Sequence, residues 1–218
     1  MNAFLTALFM VVVAEMGDKT QLLSMAFATR FNALSVLIGV FIATVLNHAL
    51  AVVVGTYLAQ VIPISVVQIA AALSFMFFGL WTLRGDKLEG EDRVNTRYGP
   101  VFTVAVAFFM AEMGDKTQLA TVALAARYHS PVYVLIGTTL GMLIADGLGI
   151  VIGDYLSKRV SEGLIKIVSA SIFILFGFIT LYEAMGYSAV TIGVMALLAI
   201  LMAVIIYVMK KERGLEKH

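Results

Sequence analysis

Apolar residues run along this 218-residue chain in seven long stretches, at approximately 3–29, 34–58, 62–83, 99–127, 131–156, 164–186 and 189–209. Each is long enough for an α-helix to cross a hydrocarbon core, which takes about 20 residues. Turn signals separate them: Arg30-Phe31-Asn32, Pro63, the polar run Arg84 to Pro100, His129-Ser130-Pro131 and Gly186. The pattern predicts an all-α polytopic membrane protein with seven transmembrane helices. Composition agrees, because 61% of residues are hydrophobic and 13% are charged, far from the balance of a soluble domain. Met1-Asn2 lacks the basic flank of a secretory signal, so the first stretch is expected to be a retained membrane helix.

The stretches repeat. AEMGDKTQL occurs unchanged at Ala14–Leu22 and Ala111–Leu119, an offset of 97 that also pairs Arg30 with Arg127. After a one-residue insertion the offset becomes 98, pairing Gly39 with Gly137, Gly55 with Gly153, and Phe78-Gly79 with Phe176-Gly177. Residues 1–83 and 99–186 are therefore expected to be two three-helix repeats. Residues 84–98 form a linker on the cytoplasmic side, and 187–218 add a peripheral seventh helix with a basic tail. Three helices is an odd number, so the second repeat must enter the membrane from the opposite side, an inverted topology. Of the thirteen Lys and Arg outside the motifs, all but Arg127 fall on one side of this arrangement. The positive-inside rule then puts the amino terminus outside and the carboxyl terminus in the cytoplasm.

Six ionisable residues lie in the two motifs, inside the apolar stretches: Glu15, Asp18, Lys19, Glu112, Asp115 and Lys116. Each costs roughly 3 kcal/mol at membrane depth, on the order of 15–20 kcal/mol together unless they meet partners, water or an ion. Within each motif the Glu and Asp stand three residues apart on one helical face, with Gln21 or Gln118 further round. Gly17 and Gly114 lie between the acids, permitting close helix approach or a local break that frees backbone carbonyls. The chain has no cysteine, so a metal must be held by oxygen, with three histidines the only nitrogen candidates. Glu15, Asp18, Gln21, Glu112, Asp115 and Gln118, with the hydroxyls of Thr20 and Thr117 in support, suit a hard divalent ion such as Mg²⁺, Ca²⁺ or Mn²⁺. Lys19 and Lys116 reduce the motif charge to −2, which one divalent ion would neutralise. Emptied, such a cluster takes up protons, so cation and proton compete for the same groups. That competition is a physical basis for exchange, and sodium could replace the proton. The ion is a transported substrate; no permanent cofactor is expected.

The doubled E-x-G-D-[KR]-[ST] pattern in two three-helix repeats resembles the signature of a membrane family of Ca²⁺/Mn²⁺ transporters of the Golgi and chloroplast, with bacterial manganese exporters among its members. The resemblance covers roughly residues 1–186. It implies a secondary transporter with Glu15, Asp18, Glu112 and Asp115 as ion-binding residues, exporting Mn²⁺ or Ca²⁺ from a bacterial cytoplasm by alternating access. His48 and Asp146, at equivalent positions in the second helix of each repeat, are candidates for proton coupling or, more plainly, for an interhelical hydrogen bond. Asp154 reads as a solvated helix end. The glycines 137, 141, 149 and 153 offer two small-xxx-small packing spacings, and Trp81, Tyr98, Tyr182 and Tyr187 read as interface anchors. Four other readings compete. The motif charges could be internal i,i+4 pairs, Glu15 with Lys19 and Glu112 with Lys116. Asp18 and Asp115 could form the dyad of an intramembrane aspartyl protease, though Glu15, Glu112 and the lysines would crowd it. The same architecture could export a small organic cation, or conduct passively as a channel. No basic stretch suits nucleic acid.

Overall fold

The computed structural model describes residues 2–84, 98–159 and 162–215. Most of the linker, the side chain of Asp154, and the basic residues near the chain end lie outside that description. Among the described residues the chain is all helical: α1 (Ala3–Glu15), α2 (Lys19–Ala28), α3 (Ala33–Val61), α4 (Ile64–Arg84), α5 (Pro100–Glu112), α6 (Lys116–Tyr128), α7 (Pro131–Arg159), α8 (Glu162–Met185) and α9 (Ala189–Leu215). Seven apolar stretches yield nine helices because the first and fourth are each broken at the motif glycine. Segments 33–61, 64–83, 131–151 and 163–185 are long and apolar enough to cross a membrane on their own, and the shorter helices 3–15, 100–112 and 189–204 are equally apolar in character. This is the build of a polytopic membrane protein.

The turn signals act locally as their chemistry requires. The side chains of Asn2 and Asn32 cap α1 and α3, accepting from Phe4 N at 3.0 Å and Leu34 N at 2.8 Å. Pro100 and Pro131 open α5 and α7, where an N–H would be left over in any case. Gly186, at φ 70°, ends α8.

Glycines then set how the helices meet. A Cβ on Gly39 of α3 would fall 2.9 Å from Val101 O, and one on Gly137 of α7 would fall 2.6 Å from Phe4 O. These are equivalent contacts, α3 running along α5 and α7 along α1. Further along, Gly141 meets Leu8 and Val11, so the 137–141 spacing does seat α1 on α7. The pair α4–α8 is reciprocal: Gly79 abuts Ala170 and Ile174, while Gly177 abuts Ala72 and Met76. The two helices cross antiparallel with each glycine set against the other helix's backbone. α9 packs on α8, with Met202 joining Ala72, Met76 and Leu181. Exposed Leu, Ile, Val and Phe cover the outside of the bundle, as expected of surfaces facing acyl chains.

Gly137→Ala should lower the stability of the detergent-solubilised protein by about 1–3 kcal/mol, the usual cost of overpacking a close contact. Gly193, with nothing within 4 Å of a would-be Cβ, is the control, and its alanine variant should unfold at or slightly above the parent temperature.

Candidate cation site

Both motifs break their helices in the same way. Gly17 and Gly114 adopt φ values of 74° and 77°, a region open to glycine and strained for other residues. The aspartate that follows becomes the N-cap residue of the next helix, yet neither Asp18 nor Asp115 spends its side chain on the cap. Glutamine closes each break. Gln21 Oε1 accepts from Gly17 N at 2.8 Å while its Nε2 donates to Ala145 O of α7 at 2.7 Å. In the second copy Gln118 Oε1 accepts from Gly114 N at 2.7 Å, and Nε2 reaches Asn47 O of α3 at 3.4 Å. The amide oxygens expected to face a cation are thus turned to backbone N–H groups, because the donors freed by a helix break inside an apolar stretch must be met. The glutamines staple each motif to the neighbouring long helix. Gly149 makes room for this: a Cβ there would sit 2.6 Å from Gln21 Cγ, so this glycine serves the site rather than helix-on-helix packing.

The breaks bring the acids together. Glu15, Glu112 and Asp115 each present an oxygen within 4.8 Å of the others, and all three are buried. Asp18 joins them through Lys116, whose Nζ lies 2.6 Å from Asp18 Oδ2 with the lysine only 2% exposed. Lys19 reaches the other way, 3.9 Å from Asp115 Oδ1, with its side chain 20% exposed. Each lysine therefore pairs with the aspartate of the other motif. The pairs Glu15–Lys19 and Glu112–Lys116, which a continuous helix would favour, are not the ones formed, since the break swings the lysine away from its own glutamate.

Identical sequences end in unlike surroundings. Thr20 Oγ1 donates to Glu15 Oε2 at 2.5 Å, and Thr117 Oγ1 donates to Glu15 Oε1. Both hydroxyls serve one carboxylate. Among the described residues neither oxygen of Glu112 has a hydrogen-bond donor, nor does Asp115 Oδ2. Buried carboxylate oxygens without donors are costly, and here they point into a cluster of other oxygens.

Of the two second-helix candidates, Asp146 is buried within electrostatic reach of Glu15 and Asp18. His48 is equally buried, and among the described residues neither ring nitrogen has a hydrogen-bond partner, so the interhelical bond considered for it is not seen there. Sequence reasoning passed over Asn47. It accepts from Gln118 through its backbone and donates from Nδ2 to Phe109 O at 3.1 Å, satisfying a carbonyl near the end of α5. The signal was available in principle, as a polar residue within an apolar span next to His48.

Comparison with known proteins places this architecture. The profile of the family described as divalent cation/proton antiporter GDT1 matches residues 3–90 and 100–188. A Vibrio cholerae protein provisionally named a manganese exporter is 39% identical over 184 residues, covering 84% of this chain and 92% of that protein. A GDT1-like protein of Synechocystis is 29% identical, covering 83% of this chain and 97% of its own length. A chloroplastic PAM71 homologue of Arabidopsis thaliana is also 29% identical, over 83% of this chain and 59% of that protein. No solved structure matches. These matches define a family of membrane cation transporters, and the chain belongs to it, the GDT1 family of divalent cation/proton antiporters. The family is one of transporters and not of enzymes, which sets aside a proteolytic dyad of Asp18 and Asp115.

Gly17→Ala and Gly114→Ala should both destabilise, by about 1–2 kcal/mol for the left-handed backbone. Gly17→Ala should cost more, because its new Cβ would lie 3.2 Å from Ile165 Cγ2, whereas nothing lies within 4 Å at Gly114. Thermal unfolding of the two variants side by side checks the order.

Proposed function

We propose that the protein exports Mn²⁺, with Ca²⁺ as a second substrate, in exchange for protons, through one site shared by two inverted three-helix repeats. The observation that carries this reading is the convergence of Glu15, Glu112 and Asp115, buried and with oxygens within 4.8 Å of one another. A carboxylate-rich oxygen set suits a hard divalent ion. The family and the Vibrio cholerae relative support the substrate class. In this reading Glu112 and Asp115 offer the first free oxygens, Glu15 and Asp18 complete the set, Thr20 and Thr117 orient Glu15, and the two glutamines hold the breaks open.

Charge supports exchange rather than one-way passage. Counting Asp146 with the four motif acids and subtracting two lysines leaves three negative charges when all are ionised. A divalent ion and one proton would balance them. Carboxylates bind the cation only when ionised, so protons on the release side promote unloading and protons on the loading side compete with uptake. With the basic loops placed in the cytoplasm, loading occurs there and the protein works as an exporter of the cell's inner membrane face.

In proteoliposomes, Mn²⁺ flux should be driven uphill by an opposing proton gradient, measured with a metal-sensitive dye inside and a pH-sensitive dye in parallel. Asp18→Asn and Glu112→Gln should each reduce the flux at least tenfold. Lowering pH on the loading side should weaken apparent Mn²⁺ affinity by up to about tenfold per unit for each proton displaced. Undiminished flux in both variants would overturn the site assignment.

A further inference from the structure

The crossed pair α4–α8 sits unevenly on the two halves of the site. α4 packs on α6 and α8 on α1, the two segments that run from the motif breaks towards one face of the bundle. There Tyr128 Oη, at the end of α6, lies 3.3 Å from Thr6 Oγ1 in the first turns of α1. Among the described residues α2 and α5, which run from the breaks towards the opposite face, make no comparable packing with α4 or α8. The apolar cores divide in the same way. Phe75 and Phe78 of α4 and Phe173 of α8 close over Met10, Ala14 and Leu124. The cluster around Leu23, Phe27, Val40, Val104 and Phe108 contains no residue of α4 or α8. A polar clasp strengthens the closed face, where Arg127 at the end of α6 donates to Thr180 and pairs with Glu183 of α8. On the opposite side a cavity of about 10 Å³, the room of a single water, is lined by Gly17, Asp18, Lys116, Thr82 and Lys166.

We infer that α4–α8 is the moving unit of transport, that this structure is sealed on the face where α1 begins, and that the alternate state is obtained by exchanging the roles of the two repeats. The inference rests on the transport reading above for its purpose, and on packing alone for its geometry. The equivalence of the repeats specifies the other state residue by residue. α8 comes to lie on α2 as α4 now lies on α6, which sets Ser169 and Phe173 opposite Ala26 and Phe27. Val67 covers Gly114 as Ile165 now covers Gly17. Space for this exists: an apolar groove of about 370 Å³ lies on the outside of the bundle where α3, α4 and α6 meet, with Val67, Ala71, Leu119 and Ala123 among its walls, and the region above Gly114 is open. The rigid α4–α8 crossing, each glycine locked on the other's backbone, lets the pair move as one body. By the orientation proposed above, the state seen here faces the cytoplasm.

The chain has no cysteine, so introduced pairs stand alone. Ala71→Cys with Ala123→Cys spans α4 and α6, and Ser169→Cys with Ala26→Cys spans the equivalent positions on α8 and α2. Treated in membrane vesicles with a short, reducible bifunctional thiol reagent, both pairs should link. Conditions that raise one yield, such as added Mn²⁺ or an imposed proton gradient, should lower the other. Either link should cut Mn²⁺ flux at least tenfold, and reduction should restore it, which also shows that the variants fold. If the Ala26–Ser169 pair fails to link under every condition while the other pair links fully and flux continues, the inference is overturned. Reciprocal linking in a protein that moves no Mn²⁺ would uphold the rocking pair and refute the substrate assignment instead.

Discussion

Burying charge at membrane depth is the constraint from which the rest of this structure follows. Seven ionisable carboxylate and ammonium groups lie in or beside one site, and isolated they would cost far more than the fold can spare. Pairing each lysine with the aspartate of the other motif meets much of that cost, and it can be done only if the two motifs touch. Contact between the motifs comes with a break in each helix at its glycine. The glycines permit the break and the glutamines satisfy the backbone that it exposes.

Neutralisation is left incomplete, and the transport reading rests on the remainder. Glu15 receives two hydroxyl donors while Glu112 receives none. The lysine pairs hold the aspartates near their places, while Glu15, Glu112 and Asp115 stand together. In the transport reading, a site that is mostly balanced internally but short of positive charge would bind a cation without holding it irretrievably, a combination that turnover needs. Asp146, brought within reach of Glu15 and Asp18, is one more buried carboxyl beside the cluster.

The same near-symmetry runs through the packing. Equivalent glycines seat α3 on α5 and α7 on α1, while the α4–α8 crossing is closed by its own reciprocal pair. The body that carries the motifs and the pair that seals them are thus packed tightly within themselves and unequally against each other.

Much was legible in the residues alone. The seven apolar stretches, the doubled motif and the need of its acids for partners follow from hydropathy, the 97-residue offset and the cost of buried charge, all local or pairwise properties of the chain. Local pattern could not decide whether Gly17 and Gly114 would sit in straight helices or break them, since glycine allows both. That choice depends on partners 124 and 71 residues away, Ala145 and Asn47, which receive the glutamine amides. Nor could identical nonapeptides reveal that both threonines would serve Glu15, because equal sequences become unequal only through what packs around them. The pairing of Lys19 with Asp115 and Lys116 with Asp18, and the seating of α4–α8 on one face rather than the other, were likewise settled by tertiary structure. There, distance in space replaces distance along the chain.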